Sequence, residues 1–112
     1  MNAVIDAKAF AKITSYISEA KKSPEVTVIS GGNFDDSKGY FVEPTVLLTT
    51  NPTYRTMVEE IFGPVLTIYV YNDADWKETL ALVDSTSAYA LTGAIFAQDK
   101  YAMLEAMKVL EN

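Results

Sequence analysis

Apolar residues switch between two spacings along this chain, and the order of the switches limits what it can fold into. Phe10, Ile13, Ile17 and Ala20 recur at helical spacing behind Asp6, whose carboxylate can cap a helix that Ser23 and Pro24 stop after about Lys22. Residues 26–29 form a β-branched run closed by Gly31 and Gly32, and a second extended run spans 40–48. Pro44 lies inside that second run. A proline has no N–H to give to a ladder, so the run is an edge strand or breaks near Glu43. Asn51 and Pro52 then open a turn into a short helical piece over 54–57, ahead of an apolar strand at 64–71.

The second half continues the alternation. Asp75 with Glu78 three residues later reads as a capping box, and Trp76, Leu80 and Val83 align on one helical face up to about Thr86. A strand is expected at 92–97, followed by a helix capped by Asp99 whose Met103, Ala106, Met107 and Leu110 share a face. Strand, helix, strand, helix is the sequence form of a parallel α/β sheet, so the strands at 64–71 and 92–97 are expected to run parallel through a right-handed crossover. Parallel strands need cover on both faces, and about three helices serve four strands. The expected architecture is an α/β fold with an incomplete, mostly parallel sheet and flanking helices, a single partial domain over 1–112. The last helix reaches Asn112 without a glycine cap, and residues 2–5 are extended with no evident partner, so both ends read as cut from a larger domain.

Composition removes several functions. At 112 residues and 49% hydrophobic, the chain can bury one modest core. Nine basic residues against fifteen acidic ones give a net charge of −6, and the lysines are scattered, so nucleic acid is not an expected partner. Apolar runs such as 65–71 fall far short of a membrane span, and Asp6 and Glu19 break any leader pattern in the first twenty residues. No membrane partner is expected, and the location expected is cytoplasmic, or the mitochondrial matrix in a eukaryote. With no cysteine and no histidine, disulfides, thiolate metal sites, a cysteine nucleophile and a histidine base are all excluded, and no metal site is expected.

One motif remains that carries chemistry. Glu59, Glu60, Ile61, Phe62, Gly63, Pro64 and Val65 set two carboxylates, an aromatic ring and a rigid turn side by side. A carboxylate offers two acceptor oxygens to vicinal hydroxyls, an aromatic ring supports a flat ring, and Gly63 with Pro64 gives a fixed turn that aims both from the end of a strand. Two further segments accompany it in order: Gly39, Tyr40, Phe41, Val42, Glu43, Pro44, Thr45, Val46 before it, and Tyr89, Ala90, Leu91, Thr92, Gly93, Ala94, Ile95, Phe96 after it. Together they resemble the aldehyde dehydrogenase superfamily, over about residues 3–112. Residues 4–10, 84–86 and 91–100 are similar to the branch that oxidises glutamate semialdehyde to glutamate in proline catabolism.

That resemblance implies an NAD-dependent reaction in which a cysteine attacks the aldehyde, hydride passes to NAD, and glutamate-activated water releases the acid. Glu60 matches the family residue that accepts hydrogen bonds from the nicotinamide ribose hydroxyls, and Phe62 matches the one packed by the nicotinamide. No catalytic residue is carried here: the cysteine, the deacylating glutamate, the glycine-bearing nucleotide fold and the substrate-carboxylate loop lie in other parts of the family sequence. The resemblance therefore implies a fragment that is inactive alone, does not hold NAD tightly, has the remainder of a parent polypeptide as its partner, and self-associates. The competing expectation is a stand-alone, non-catalytic binding or oligomerisation module derived from that fold.

Each feature also has a plainer reading. Glu59 and Glu60 could be a solvated acidic pair at a helix end, and Phe62 a core aromatic. Residues 35–39 lack the ligand series of a calcium loop and read as a solvated turn, Trp76 and Tyr89 as packing residues, and Gly31 with Gly32 as a turn.

Overall fold

In the computed structural model, which describes residues 2–89 and 91–111, the Asp6 carboxylate accepts the Ala9 amide at 2.7 Å. That bond satisfies one of the orphan donors of helix α1, Ala7–Ala20. The apolar stripe of α1 does what its spacing implies. Ile13, Tyr16 and Ile17 are buried together with Val42 and Ile61, and Val4, Ala9, Phe10 and Val65 pack around them. Residues near the start have a partner after all, because the Val4 amide donates to the Tyr40 carbonyl at 2.8 Å.

Pro44 cuts the second extended run in two. Strand β1 is Val26–Ser30, and β2, Phe34–Asp35, pairs in a two-stranded hairpin with β3, Phe41–Val42. Beyond the proline, β4, Thr45–Thr49, becomes the central strand of a three-stranded sheet of order β1-β4-β5, with β5 at Val65–Tyr69. The sheet is mixed. Strand β1 runs antiparallel to β4, whereas β5 runs parallel to it from Thr45 opposite Val65 to Thr49 opposite Tyr69. Helix α2, Arg55–Val58, lies in the connection between the two parallel strands.

The C-terminal half departs further from expectation. Helix α3, Trp76–Thr86, is entered through a 3-10 turn at Asp73–Asp75, and Asp75 makes no side-chain cap bond. Its carboxylate accepts from the Asn72 amide group instead, at 3.2 Å, so the capping box with Glu78 does not form. Helix α4, Lys100–Val109, is capped as expected, with Asp99 accepting the Tyr101 amide at 2.8 Å. The two helices meet through Trp76, whose indole N–H donates to Glu105 at 2.9 Å, and they bury Leu80 and Ala106. Val83, expected on the same face, is exposed.

No strand forms at 92–97, so the expected parallel pairing of 64–71 with 92–97 is absent among the described residues. An extended segment becomes a strand only beside another, and this one does not reach the free edge of β5. Leu91 and Phe96 are 98% and 95% exposed. Tyr89, expected to pack, is 60% exposed. Part of the third family-like segment, Ala90, lies outside the described residues, as do Met1 and Asn112. The Cα radius of gyration is 15.9 Å, against about 13 Å for a compact domain of this length. No helix of the described residues is long and apolar enough to cross a membrane.

The turn after β1 is under the tightest steric constraint. Gly31 has φ 73°, and a Cβ there would stand 2.0 Å from the Pro44 carbonyl oxygen, a backbone atom that cannot swing aside. The following amide, Gly32, donates to the buried Thr45 hydroxyl at 2.9 Å, and that hydroxyl donates onward to the Glu43 carbonyl. The turn thus locks the start of the central strand. Gly31→Ala is expected to lower stability by more than about 2 kcal/mol, combining left-handed backbone strain with the clash. A urea titration of the variant beside the parent protein measures it.

Candidate functional site

The segment 59–64 leads from α2 into β5, and its residues differ sharply in burial. Ile61 is 8% exposed and belongs to the core around α1, whereas Phe62, next to it, is 86% exposed with φ 60°. Glu60 is exposed as well. Gly63 lies so close to α1 that a Cβ would stand 2.5 Å from Ile13 Cδ1, which explains why this position carries no side chain. The Thr45 amide then donates to the Pro64 carbonyl at 2.9 Å, and the parallel ladder begins. Both sequence-expected site residues therefore project from one short loop, on either side of a buried isoleucine. The loop precedes β5, so it lies at the strand's amino end and not at the carboxyl end where ligands of open α/β sheets collect.

A polar network that periodicity alone did not reveal fixes this loop. The Lys12 ammonium donates to the Glu60 carbonyl at 2.7 Å. The Arg55 guanidinium donates to Glu59 Oε1 at 2.9 Å and to Glu19 Oε2 at 2.8 Å, and it stacks 4.2 Å above the ring centroid of Tyr16. The Tyr16 hydroxyl donates to Glu59 Oε2. Both oxygens of Glu59 are thus occupied from inside the fold, while the carboxylate of Glu60 accepts no hydrogen bond from a described side chain. The acidic pair is asymmetric among the described residues: the Glu59 carboxylate anchors and the Glu60 carboxylate is left open. The signal that could have located this network is the i, i+4, i+7 spacing of Lys12, Tyr16 and Glu19, a second face of α1 beside its apolar stripe.

Electrostatics follow from those contacts. Arg55, and after it Tyr16, hold the Glu59 carboxyl below the ordinary carboxylate range. The bond to Glu59, and then burial, raise the Tyr16 phenol. The hydrogen bonds to Glu59 and Glu19 keep Arg55 charged. Elsewhere, Asp35 accepts the Ser37 amide and hydroxyl at 2.8 and 3.0 Å, which lowers its pKa and makes residues 35–39 the solvated turn expected. Among the described residues no group of three or more acidic side chains is placed to hold a metal ion. The open groove between β5 and α3, lined by Met57, Ile68, Tyr71, Val83 and Phe96, is not lined by Glu60 or Phe62.

Glu60 and Phe62 are thus both exposed on a firmly held loop, and no described side chain donates to the Glu60 carboxylate. The model of the "Aldehyde dehydrogenase family" matches residues 1–112. The chain belongs to the aldehyde dehydrogenase family. Among curated relatives, "Delta-1-pyrroline-5-carboxylate dehydrogenase, mitochondrial" of Danio rerio is 57% identical over 111 residues, and that of Homo sapiens 56% identical over 111. Each match covers 99% of this chain and 20% of the relative. The solved delta-pyrroline-5-carboxylate dehydrogenase from Mycobacterium tuberculosis, bound with NAD and cobalamin, superposes with a TM-score of 0.87 at 48% identity, covering 96% of this chain and 20% of that one. The Thermus 1-pyrroline-5-carboxylate dehydrogenase with bound NAD gives 0.81 at 32% identity, with the same coverages. This aldehyde dehydrogenase chain spans about a fifth of the length of the relatives it matches.

The Glu59 network titrates at both ends of the pH scale. A carboxyl with a depressed folded pKa contributes stability in full above its ordinary value of 4.5 and loses it as pH falls through the folded value. A phenol with a raised one contributes in full below 10.0 and loses it as pH rises. The stability gap between the parent protein and Tyr16→Phe is expected to be open at neutral pH and to narrow as pH falls from about 5 to 3. Urea titrations of both proteins across that window measure the gap, and a constant gap would show that Glu59 does not carry it.

Proposed function

We propose that this chain is the part of a delta-1-pyrroline-5-carboxylate dehydrogenase that presents Glu60 and Phe62 to the nicotinamide end of NAD during oxidation of glutamate semialdehyde to glutamate. One observation carries the reading: Glu60 projects from a loop pinned at Glu59, Ile61 and Gly63, with its carboxylate left free of the described side chains. Relatives more than 50% identical and bearing that enzyme's name support it, as do similar structures solved with NAD. When bound, NAD accepts the hydride. The residues here bind and orient: two carboxylate oxygens match two vicinal ribose hydroxyls, and the Phe62 ring offers a flat apolar surface beside them.

The nucleophile is assigned to another part of the parent protein, because this sequence holds no cysteine. We treat residues 1–112 as a single partial domain of that protein whose partner is the remainder of the polypeptide. Exposed Leu66, Val70, Leu91 and Phe96 are surface for that remainder to cover, and they favour self-association when they stay uncovered. A mitochondrial location is proposed in place of the cytoplasmic one, on the names of the relatives.

In the full-length enzyme, Glu60→Gln keeps the shape but removes the charge from two ribose hydrogen bonds, each worth roughly 1.5–3 kcal/mol when charge-assisted. Stopped-flow measurement of the first NADH turnover is expected to show a loss of about one to three orders of magnitude, with alkylation of the thiol unaffected. An unchanged rate would refute the role of Glu60. The 112-residue chain by itself is expected to give no NADH from aldehyde and NAD, with or without added thiol, since proximity within a site supplies much of the rate. Measurable turnover by that chain would overturn the assignment.

A further inference from the structure

We propose that Arg55 and Tyr16 are positioning residues for the cofactor-facing pair: by occupying both oxygens of Glu59 they set the aim of Glu60 and Phe62. The proposal rests on the reading of those two residues as cofactor contacts and goes beyond it, since neither Arg55 nor Tyr16 lies on the loop itself.

The loop retains few degrees of freedom. Glu59 closes α2 with its amide donating to the Arg55 carbonyl at 3.0 Å, then turns extended, at φ −96° and ψ 141°. From that residue onward no helix holds the backbone, and the ladder of β5 begins only at Val65. Between these limits the loop is held at four points: the Glu59 carboxylate, the Glu60 carbonyl that accepts from Lys12 at 2.7 Å, the buried Ile61 side chain, and Gly63 pressed on Ile13. The last two are apolar contacts, which resist translation but leave rotation about the chain loosely determined. The Glu59 carboxylate is directional. Arg55 Nε reaches one oxygen and the Tyr16 hydroxyl the other, so the plane of the group is defined, and the backbone leaving Glu59 is defined with it.

The two donors are themselves braced. Arg55 is drawn to Glu19 on α1 by its second nitrogen and sits over the Tyr16 ring, and Tyr16 is 4% exposed within the core. Arg55 is therefore held from three sides, although its side chain is partly open to solvent. A surface ion pair of this kind contributes little to stability when isolated. Here its geometry constrains the residue next to the free carboxylate, and directional error at that point is amplified at a bond-making distance. The expected consequence of its loss is misplacement of cofactor more than loss of fold.

The test uses the full-length enzyme with Arg55→Met, Arg55→Lys, Tyr16→Phe, Glu60→Gln and the double variant R55M/E60Q. Half-saturation by NAD and the first NADH turnover are read beside the thermal midpoint and the rate of thiol alkylation without NAD. Arg55→Met is expected to raise NAD half-saturation about tenfold and slow the first turnover at least about fivefold, and Tyr16→Phe to show about a threefold change, with thiol alkylation unmoved. Arg55→Lys keeps the charge without the fork and should recover part of the loss. In the double variant the two losses should be less than additive, because both act through Glu60. Should Arg55→Met fail to fold, Tyr16→Phe and Arg55→Lys carry the same readings. If Glu60→Gln is impaired while Arg55→Met and Tyr16→Phe stay within about twofold of the parent, or if the double variant is fully additive, the positioning role is overturned and the role of Glu60 stands. If Glu60→Gln is unimpaired, both fall.

Discussion

The proposed cofactor contacts of this chain depend on the close approach of α1 to the loop before β5. Ile13 touches Gly63 so closely that no side chain fits between them, and Ile61 fills the space beside Ile17, Tyr16 and Val42. This apolar contact sets the depth of the loop, and only then can the polar groups on the neighbouring face of α1 reach it. Lys12, Tyr16 and Glu19 follow one another along that face, and Arg55 connects the last two to Glu59. A single helix thus serves as core and as scaffold. Its apolar stripe supplies the burial, and the adjoining stripe supplies direction.

The same arrangement separates two roles within an acidic pair that looks symmetric in sequence. Glu59 is satisfied internally and held ionised by a cation and a phenol, whereas Glu60 contributes its carbonyl to Lys12 and its carboxylate accepts from none of the described side chains. An ionised carboxylate that is already paired has little left to offer a ligand. One whose oxygens no described side chain occupies keeps both of them for a ligand.

Those parts of the fold that depend on local rules could be read from sequence, and the rest could not. Asp6 and Asp99 as caps, Pro44 as a break, and the Asn51 turn, where Thr53 donates back to the Asn51 side chain at 3.0 Å, are decided within a few residues. The resemblance singled out Glu60 and Phe62 because short motifs fix residue types at fixed spacing, and their role as cofactor contacts is a proposal. Residues 92–97 failed as a strand because pairing is a long-range matter: apolar alternation says that a segment can pair, and only a neighbour makes it do so. Asp75 failed as a cap because the chain enters α3 through a 3-10 turn, which no composition rule announces. Arg55 escaped notice because an arginine on a short helix resembles solvated charge until its partners, Glu19 and Tyr16, are seen to come from another helix.

Phe62 has a consequence of a different kind. It holds a left-handed backbone, φ 60°, that an ordinary side chain adopts at a cost of about 1 kcal/mol, and it leaves its ring almost wholly in water. Neither term favours the folded chain. Glycine at this position would relax the backbone and remove exposed apolar surface, so stability alone would select against phenylalanine. A screen that ranks variants of this protein by resistance to heat would therefore promote replacement of the very side chain that its proposed chemistry requires. Resistance to unfolding and fitness for cofactor pull in opposite directions at this one residue.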